Sequence, residues 1–102
     1  MGKIHRLDFS GNLIQKIENL YALTGLQILN LSCNRIKRIE NLQPVSKTLV
    51  ELDLSGNLIQ RIPVSIGHLV KLRVLNISNN SLDTVSRKLN SIGDIEHLYL
   101  AW

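Results

Sequence analysis

The sequence predicts a repeating α/β solenoid, with a curved parallel β-sheet on its concave side and short irregular or helical return segments on its convex side. Four asparagines recur at spacings of 22, 23 and 23 residues, and each stands in a copy of the same apolar frame. The chain is 44% hydrophobic but only 4% aromatic, as expected of a core built from leucine and isoleucine. The four asparagines are Asn12, Asn34, Asn57 and Asn80.

The apolar frame divides the chain into repeats. Each copy has apolar residues at its first, fourth, sixth, eleventh and fourteenth positions and asparagine at its ninth. Residues 7–17 match residues 52–62 at nine of eleven positions, so repetition rather than chance explains the pattern. We interpret residues 1–102 as one repeat domain. Its copies occupy residues 4–25, 26–48, 49–71 and 72–94, with a partial fifth at 95–102.

The strand of each copy follows from the alternation inside its frame. In the second copy, Leu29 and Leu31 point to the core, while Asn30 points to solvent. The frame asparagine comes where the chain must turn out of the strand. Its carboxamide can pair with backbone groups that would otherwise cost about 1–3 kcal/mol each when buried unpaired. The repeated asparagine therefore predicts a hydrogen-bonded ladder along the solenoid.

The return segment of each copy continues the apolar pattern. In the first copy, Ile14, Ile17, Leu20 and Leu23 have the wider spacing of one or two helical turns. Since no single repeat can bury its own core, neighbouring coils must stabilise one another by stacking.

These motifs resemble the leucine-rich repeat family over residues 4–102. The Ile-Glu-Asn-Leu runs at 17–20 and 39–42 are similar to the 22-residue class found in the nuclear regulator of protein phosphatase 1 and in many centrosomal and ciliary proteins. The Ile-Pro-Val-Ser-Ile-Gly run at 62–67 resembles the typical cytosolic class instead. The resemblance implies a solenoid that binds another protein, and the order of classes implies a cytoskeletal or centrosomal setting.

Neither end of the sequence carries a recognisable polar cap, although repeat arrays need one at each end. We therefore expect the 102 residues to be a segment of a longer array, with a complete small protein as the alternative. Apolar residues at Phe9 and at 98–102 predict self-association through these uncapped ends.

Hydrophobic runs, leader segments and cysteine content indicate the cellular compartment of the protein. It has no apolar run near 18 residues and no leader of the secretory type. Its single cysteine, Cys33, cannot form an internal disulfide, and we interpret it as a small side chain tolerated at a turn. We predict an intracellular protein with no membrane contact, either cytoplasmic or associated with the cytoskeleton or centrosome.

The reactive side chains show no catalytic or metal-binding spacing. His5, His68 and His97 fall at unrelated repeat positions, so their spacing implies neither a metal cluster nor a nucleophile with its base. The glycines mark turns and form no phosphate-binding loop. The sequence therefore predicts no enzyme activity, no metal site and no cofactor.

The solvent-facing side of the strands is the candidate binding face. Five strands at roughly 4.8 Å make a sheet about 20 Å across, enough for a helix or an extended segment of a partner. Apolar and aromatic side chains on such a face are where binding energy usually concentrates, whereas Asp, Asn and Ser are the family's ordinary filling. We predict partner contacts from Arg6, Asp8, Ile28, Asn30, Glu51, Asp53, Val74, Asn76, His97 and Tyr99.

A second candidate surface is a basic edge that follows the ladder asparagines. It accounts for much of the net charge of +4 and the pI near 9.6, and is either a solvated edge or a docking site for an acidic protein partner. Modest net charge without interleaved aromatics argues against nucleic acid. Concave-face binding ranks first, and the alternatives are a structural scaffold segment or acidic-partner binding at this edge. The basic edge comprises Lys16, Arg35, Lys37, Arg38 and Arg61.

Overall fold

Residues 4–83 and 97–99 are described by a computed structural model, which confirms the predicted parallel solenoid. The sheet has five strands in the order β1-β2-β3-β4-β5, and each strand pairs in parallel with the next. Each strand is only three residues long, so stacking of whole coils, rather than any single pair of strands, holds the sheet together. The strands are β1 Arg6–Asp8, β2 Ile28–Asn30, β3 Glu51–Asp53, β4 Val74–Asn76 and β5 His97–Tyr99.

The register of the sheet repeats without a shift from one strand to the next. Leu7, Leu29, Leu52 and Leu75 lie opposite one another at the strand centres. Residues that share a repeat position therefore stand in line across the coils, as the frame predicts. The position of a residue in its repeat is enough to identify its neighbours in the coils before and after it.

The core is a stack of leucine and isoleucine layers between the sheet and the return segments. Leu29 and Leu75 are at most 1% exposed. The first coil differs, since Leu7 is half-buried and Phe9 is 47% exposed, although Phe9 holds the frame position of the buried Leu31. Among the described strands, β1 has a neighbour on one side only, and its core side chains are covered on that side alone.

The return segments are helical in the second and third coils. One 3₁₀ helix spans Gln43–Val45 and another spans Val64–His68. Pro44 lies in the first turn of one and Pro63 immediately before the other, positions where the fixed φ of proline fits and its missing N–H is not needed. The return segment of the first coil is irregular, with turns at residues 21–22 and 24–25. Both forms agree with the predicted irregular or helical return segments.

The predicted asparagine ladder connects neighbouring coils. Buried Asn57 donates from Nδ2 to the carbonyl oxygens of Leu31 and Leu54, both at 3.0 Å. Its Oδ1 accepts from the backbone N–H of Ile36 at 3.0 Å. Leu31 and Ile36 belong to the preceding coil, so one carboxamide satisfies backbone groups of two coils. The other two interior ladder residues, Asn34 and Asn80, repeat this arrangement.

The first ladder residue, Asn12, has a smaller role. It is exposed, and its Nδ2 donates to the carbonyl oxygens of Phe9 at 3.0 Å and Ser10 at 3.2 Å. Both acceptors lie in its own coil. Within the described part of the chain, Asn12 shapes a turn without joining two coils, and it is a natural comparison for Asn57.

The residue before each ladder asparagine has a left-handed backbone. The angle φ is +69° at Gly11, +56° at Cys33, +67° at Gly56 and +55° at Asn79. Glycine adopts this conformation without steric cost, whereas a residue with a side chain loses about 1–2 kcal/mol. Cys33 is exposed and stacks against Gly56, where an added Cβ would lie 3.3 Å from the Cys33 Sγ.

A second asparagine joins the first two coils away from the sheet, a role that was not predicted from the sequence. Asn41 has a φ of +60°, and its Nδ2 donates to the carbonyl oxygen of Ile17 at 2.8 Å. Asn19, at the same position of the preceding repeat, has a φ of +65°. The repeated Ile-Glu-Asn-Leu run is the sequence feature that could have predicted this turn. Asparagine is among the few non-glycine residues that adopt a left-handed conformation readily.

Replacing Asn57 by alanine should lower the free energy of unfolding by about 1–3 kcal/mol, because it leaves buried backbone groups of two coils unpaired. The matched change Asn12→Ala should cost less than about 1 kcal/mol, since that carboxamide is exposed and bonds within one coil. Urea denaturation of both variants measures the difference. Equal losses would show that joining coils contributes little.

Replacing Gly56 by alanine should lower stability by about 1–2 kcal/mol, because it forces a side chain into a left-handed backbone against Cys33. Gly67 is the control, since an added Cβ there would meet no atom within 4 Å beyond its chain neighbours and its own helix backbone, and its φ is not positive. Gly67→Ala should be neutral or stabilise by up to about 1 kcal/mol. Thermal denaturation of both variants measures the two changes in stability. A smaller loss of melting temperature in Gly56→Ala than in Gly67→Ala would contradict the predicted strain at Gly56.

Candidate functional site

The first residues of the five strands form the first column of the concave face. Ile28 and Val74 are half-buried, while Glu51, between them in register, is exposed. Glu51 forms no ion pair with another described residue. The column therefore presents two apolar side chains on either side of a carboxylate that is available to a partner. Its members are Arg6, Ile28, Glu51, Val74 and His97, and the His97 side chain lies outside the described part of the structure.

The third residues of the strands form the second column, which has a structural task. In each of its first four members, Oδ1 accepts a hydrogen bond from the backbone N–H of the serine two residues later, at 2.9–3.0 Å. This is an Asx turn, and it fixes the exit of the chain from the strand. Its members are Asp8, Asn30, Asp53, Asn76 and Tyr99, and the Tyr99 side chain lies outside the described part.

The serines that follow the second column reinforce these turns in the third and fourth coils. The Ser55 hydroxyl donates to Asp53 Oδ1 at 2.7 Å, and the Ser78 hydroxyl donates to Asn76 Oδ1 at 2.6 Å. This column was predicted on the concave face, but the hydrogen bonds that its side chains already form were not predicted. The recurring Asp/Asn-x-Ser triplet was the available signal, since such side chains pair with the backbone two residues on.

The same interaction affects the charge of Asp8. Hydrogen bonds from the side chain and backbone of Ser10 lower the pKa of the Asp8 carboxyl below its usual value. Because the folded-state pKa is the lower one, the contribution of Asp8 to stability is present above about pH 4 and is lost as the pH falls below it. Asp8 therefore stays ionised at neutral pH.

A further column, which is not among the predicted partner contacts, lies immediately before the strands. His5, Gln27 and Arg73 are exposed and Val50 is half-buried. Each interior carbonyl of this column accepts two amides of the next coil, as Gln27 does from Val50 at 2.7 Å and Glu51 at 3.0 Å. These shared bonds hold the backbone beside the first column firmly. Repeat position alone would have identified the column.

The basic edge lies where the chain leaves the ladder asparagines. All five of its residues are exposed. Lys37, Arg38 and Arg61 come together around an open cavity of about 350 Å³, which Glu40 and Gln60 also line. Arg61 also lies close to a carboxylate, with its Nε 3.5 Å from Asp83 Oδ2. Lys16 belongs to the first coil, where it lines a separate cavity with Glu18.

Reactive groups are sparse in the described part of the chain. No three or more histidine, cysteine, aspartate or glutamate side chains among those residues are placed to hold a metal ion. Within the same ranges, no helix has the length and apolar character needed to cross a membrane.

Family models match almost the whole chain. A model described as leucine rich repeat matches residues 24–82 and 47–102, and one described as leucine rich repeats in two copies matches residues 3–44. Together they cover the same stretch as the apolar frame. The family recognised from the frame is confirmed.

Two curated relatives illustrate the range of proteins that contain similar repeats. A homologue of the protein phosphatase 1 regulatory inhibitor subunit from Arabidopsis thaliana is 29% identical over 98% of this chain and 30% of its own length. This match fits the phosphatase-regulator class assigned from the Ile-Glu-Asn-Leu runs. Dynein axonemal light chain 1 from Mus musculus is 43% identical over 50% of this chain and 27% of its own length.

A solved structure shows the same fold. Internalin C2 from Listeria monocytogenes superposes with a TM-score of 0.74 and 25% sequence identity, over 95% of this chain and 42% of that one. The chain spans at most 30% of the length of the phosphatase regulator homologue and of the dynein light chain. The similarity therefore concerns the repeats that these proteins share.

Replacing Asp53 by alanine should lower the free energy of unfolding by about 0.5–1.5 kcal/mol, because two hydrogen bonds from Ser55 are lost. Glu51→Ala, two residues earlier on the same strand, should change it by less than about 0.5 kcal/mol. Chemical denaturation at neutral pH separates the two. Should both variants be as stable as the parent chain, the second column would be free for binding after all.

Proposed function

The chain belongs to the leucine-rich repeat family, and from this premise we propose that it is a non-catalytic protein-binding module whose concave sheet receives a segment of a protein partner. The observation that carries the proposal is the first column, where half-buried Ile28 and Val74 flank exposed Glu51. A few side chains near the centre of a binding surface supply most of the energy of typical protein interfaces, and Ile28 and Val74 are the candidates for that role here.

Rigidity of the sheet supports this proposal. Backbone bonds between coils fix the column before the strands, and Asx turns fix the strand exits. A partner that lies across such a surface orders few groups of the solenoid, so little of the binding energy is lost to conformational entropy. The first column and the column before it would supply the contacts, and the second column would set the shape of the surface.

The partner would span several coils. Strands that are spaced by roughly 4.8 Å place Ile28 and Val74 about 10 Å apart. That distance suits two apolar side chains of one helix or one extended segment, with a polar or basic group between them for Glu51. His97 and Tyr99 would extend the contact toward β5, as the sequence predicts.

The alternative is a structural role as a segment of a larger cytoskeletal or centrosomal scaffold. The similarity to a dynein axonemal light chain favours this setting, and it supports an intracellular location in the cytoplasm or on the cytoskeleton. Self-association would then use the apolar surface of the first coil. There Ile4 and Phe9 line an open cavity of about 530 Å³.

A photo-reactive residue in place of Glu51 tests the proposal, with Val64 as the control site because it is 96% exposed on another surface. Irradiation in a cell extract should give a discrete product from position 51 and none of that mass from position 64. Adding Ile28→Ser and Val74→Ser should reduce that product at least tenfold, since each apolar anchor contributes about 1–2 kcal/mol. A product that persists in the double variant, or none from position 51, would overturn the proposal.

A further inference from the structure

The basic edge carries exposed leucines among its cations. Leu13 is 67% exposed and Leu58 is 45% exposed. Both hold the position directly after a ladder asparagine, and Arg35 holds the same position in the coil between them. The result is a line of leucine, arginine and leucine across three coils. The edge therefore carries apolar side chains on both sides of a cation.

Backbone hydrogen bonds between coils hold the line of Leu13, Arg35 and Leu58 in place. The N–H of Arg35 donates to the carbonyl oxygen of Ile14 at 2.8 Å, and the N–H of Leu58 donates to that of Ile36 at 2.9 Å. Each bond joins one coil to the next, so the spacing of the line is set by the stack. At roughly 4.8 Å per coil, Leu13 and Leu58 lie about 10 Å apart.

Cations flank the line on its downstream side. Lys16, Arg38 and Arg61 share one repeat position in the first three coils, and Lys37 precedes Arg38. Neither Arg38 nor Lys37 forms an ion pair with another described residue. The row ends at Arg61, which pairs with Asp83 of the fourth coil. The positive charge is therefore concentrated at the second coil, beside the gap between the two leucines.

We infer that this edge is a second docking surface, distinct from the concave sheet, for an acidic amphipathic helix of another protein. Seven residues of helix rise about 10 Å, which matches the separation of Leu13 and Leu58. The occupant would present two apolar residues seven positions apart, with glutamate or aspartate between and beside them. Those carboxylates meet Arg35, Lys37 and Arg38, so charge complementarity sets its orientation and speeds its association.

A helix fits this edge better than a flat anionic membrane does. The cations of the second and third coils surround a concave cavity, and the carboxylate of Glu40 lines it with them. Asp83 lies at the end of the row. A protein helix can place a side chain in the cavity and avoid both carboxylates, whereas a uniformly anionic surface would be repelled by them.

The probe is a fluorescent synthetic peptide of about 15 residues, with two leucines seven positions apart and glutamates between them. Its binding to the 102-residue chain is measured by anisotropy at several salt concentrations. Arg35→Glu with Arg38→Glu should weaken binding at least tenfold and flatten the salt dependence. Leu13→Ser with Leu58→Ser should also weaken binding about tenfold, with the salt dependence kept.

Matched control variants reverse a charge or remove an apolar side chain away from the basic edge. Lys71→Glu reverses an exposed charge, and Val64→Ser removes an exposed apolar side chain, so neither should alter peptide binding. Val74→Ser should leave it unchanged too, and this variant separates failure of the inference from failure of concave-face binding. Circular dichroism of every variant checks that the fold is retained.

Three outcomes would overturn the inference. The parent chain could fail to bind the peptide, or the leucine variant could bind it as tightly as the parent chain does, which would indicate charge attraction alone. Vesicles that contain phosphatidylserine could bind to the edge in place of the peptide, which would assign it to membranes.

Discussion

The buried carboxamide of the ladder asparagine is the interaction on which the rest of the structure depends. A strand of three residues cannot stabilise itself, and the chain must leave it through a turn whose backbone groups face the core. Asn57 satisfies the carbonyl oxygens of Leu31 and Leu54 and the amide of Ile36 with one side chain. Since Leu31 and Ile36 belong to the preceding coil, the same bonds set the register between coils.

The register between coils determines which residues lie side by side on the surface of the solenoid. Once each coil is locked to the previous one, residues of equal repeat position align, and the first column and the basic edge follow from the same stacking. The left-handed residue before each ladder asparagine belongs to the same turn and fixes the path of the chain there. Two surfaces of opposite character thus face different ways on one rigid stack. One offers apolar side chains around Glu51, and the other offers cations around two leucines.

Much of the fold could be predicted because the frame repeats. Strand positions, register and the bonding of Asn34, Asn57 and Asn80 all follow from one pattern read four times. The exposure of Phe9 was predicted from the uncapped end of the repeats and not from the frame, because burial depends on a neighbouring coil as well as on the repeat position. For the candidate site, the sequence predicted which residues stand in the same column but not which of their side chains are free to bind a partner. Which side chains are free depends on local bonds, and the Asx turns of the second column occupy side chains that the sequence alone leaves available.

The amide of Ile36 offers the most direct measurement, because its bond partner is the Oδ1 of Asn57 in the next coil. Hydrogen exchange followed by NMR in the parent chain and in Asn57→Ala compares this amide with that of Leu31, which bonds to the backbone of Asp53. The Ile36 amide should lose protection well beyond the general loss of stability recorded at the Leu31 amide. Equal losses at both amides would contradict this prediction, since the carboxamide would then add nothing specific between coils.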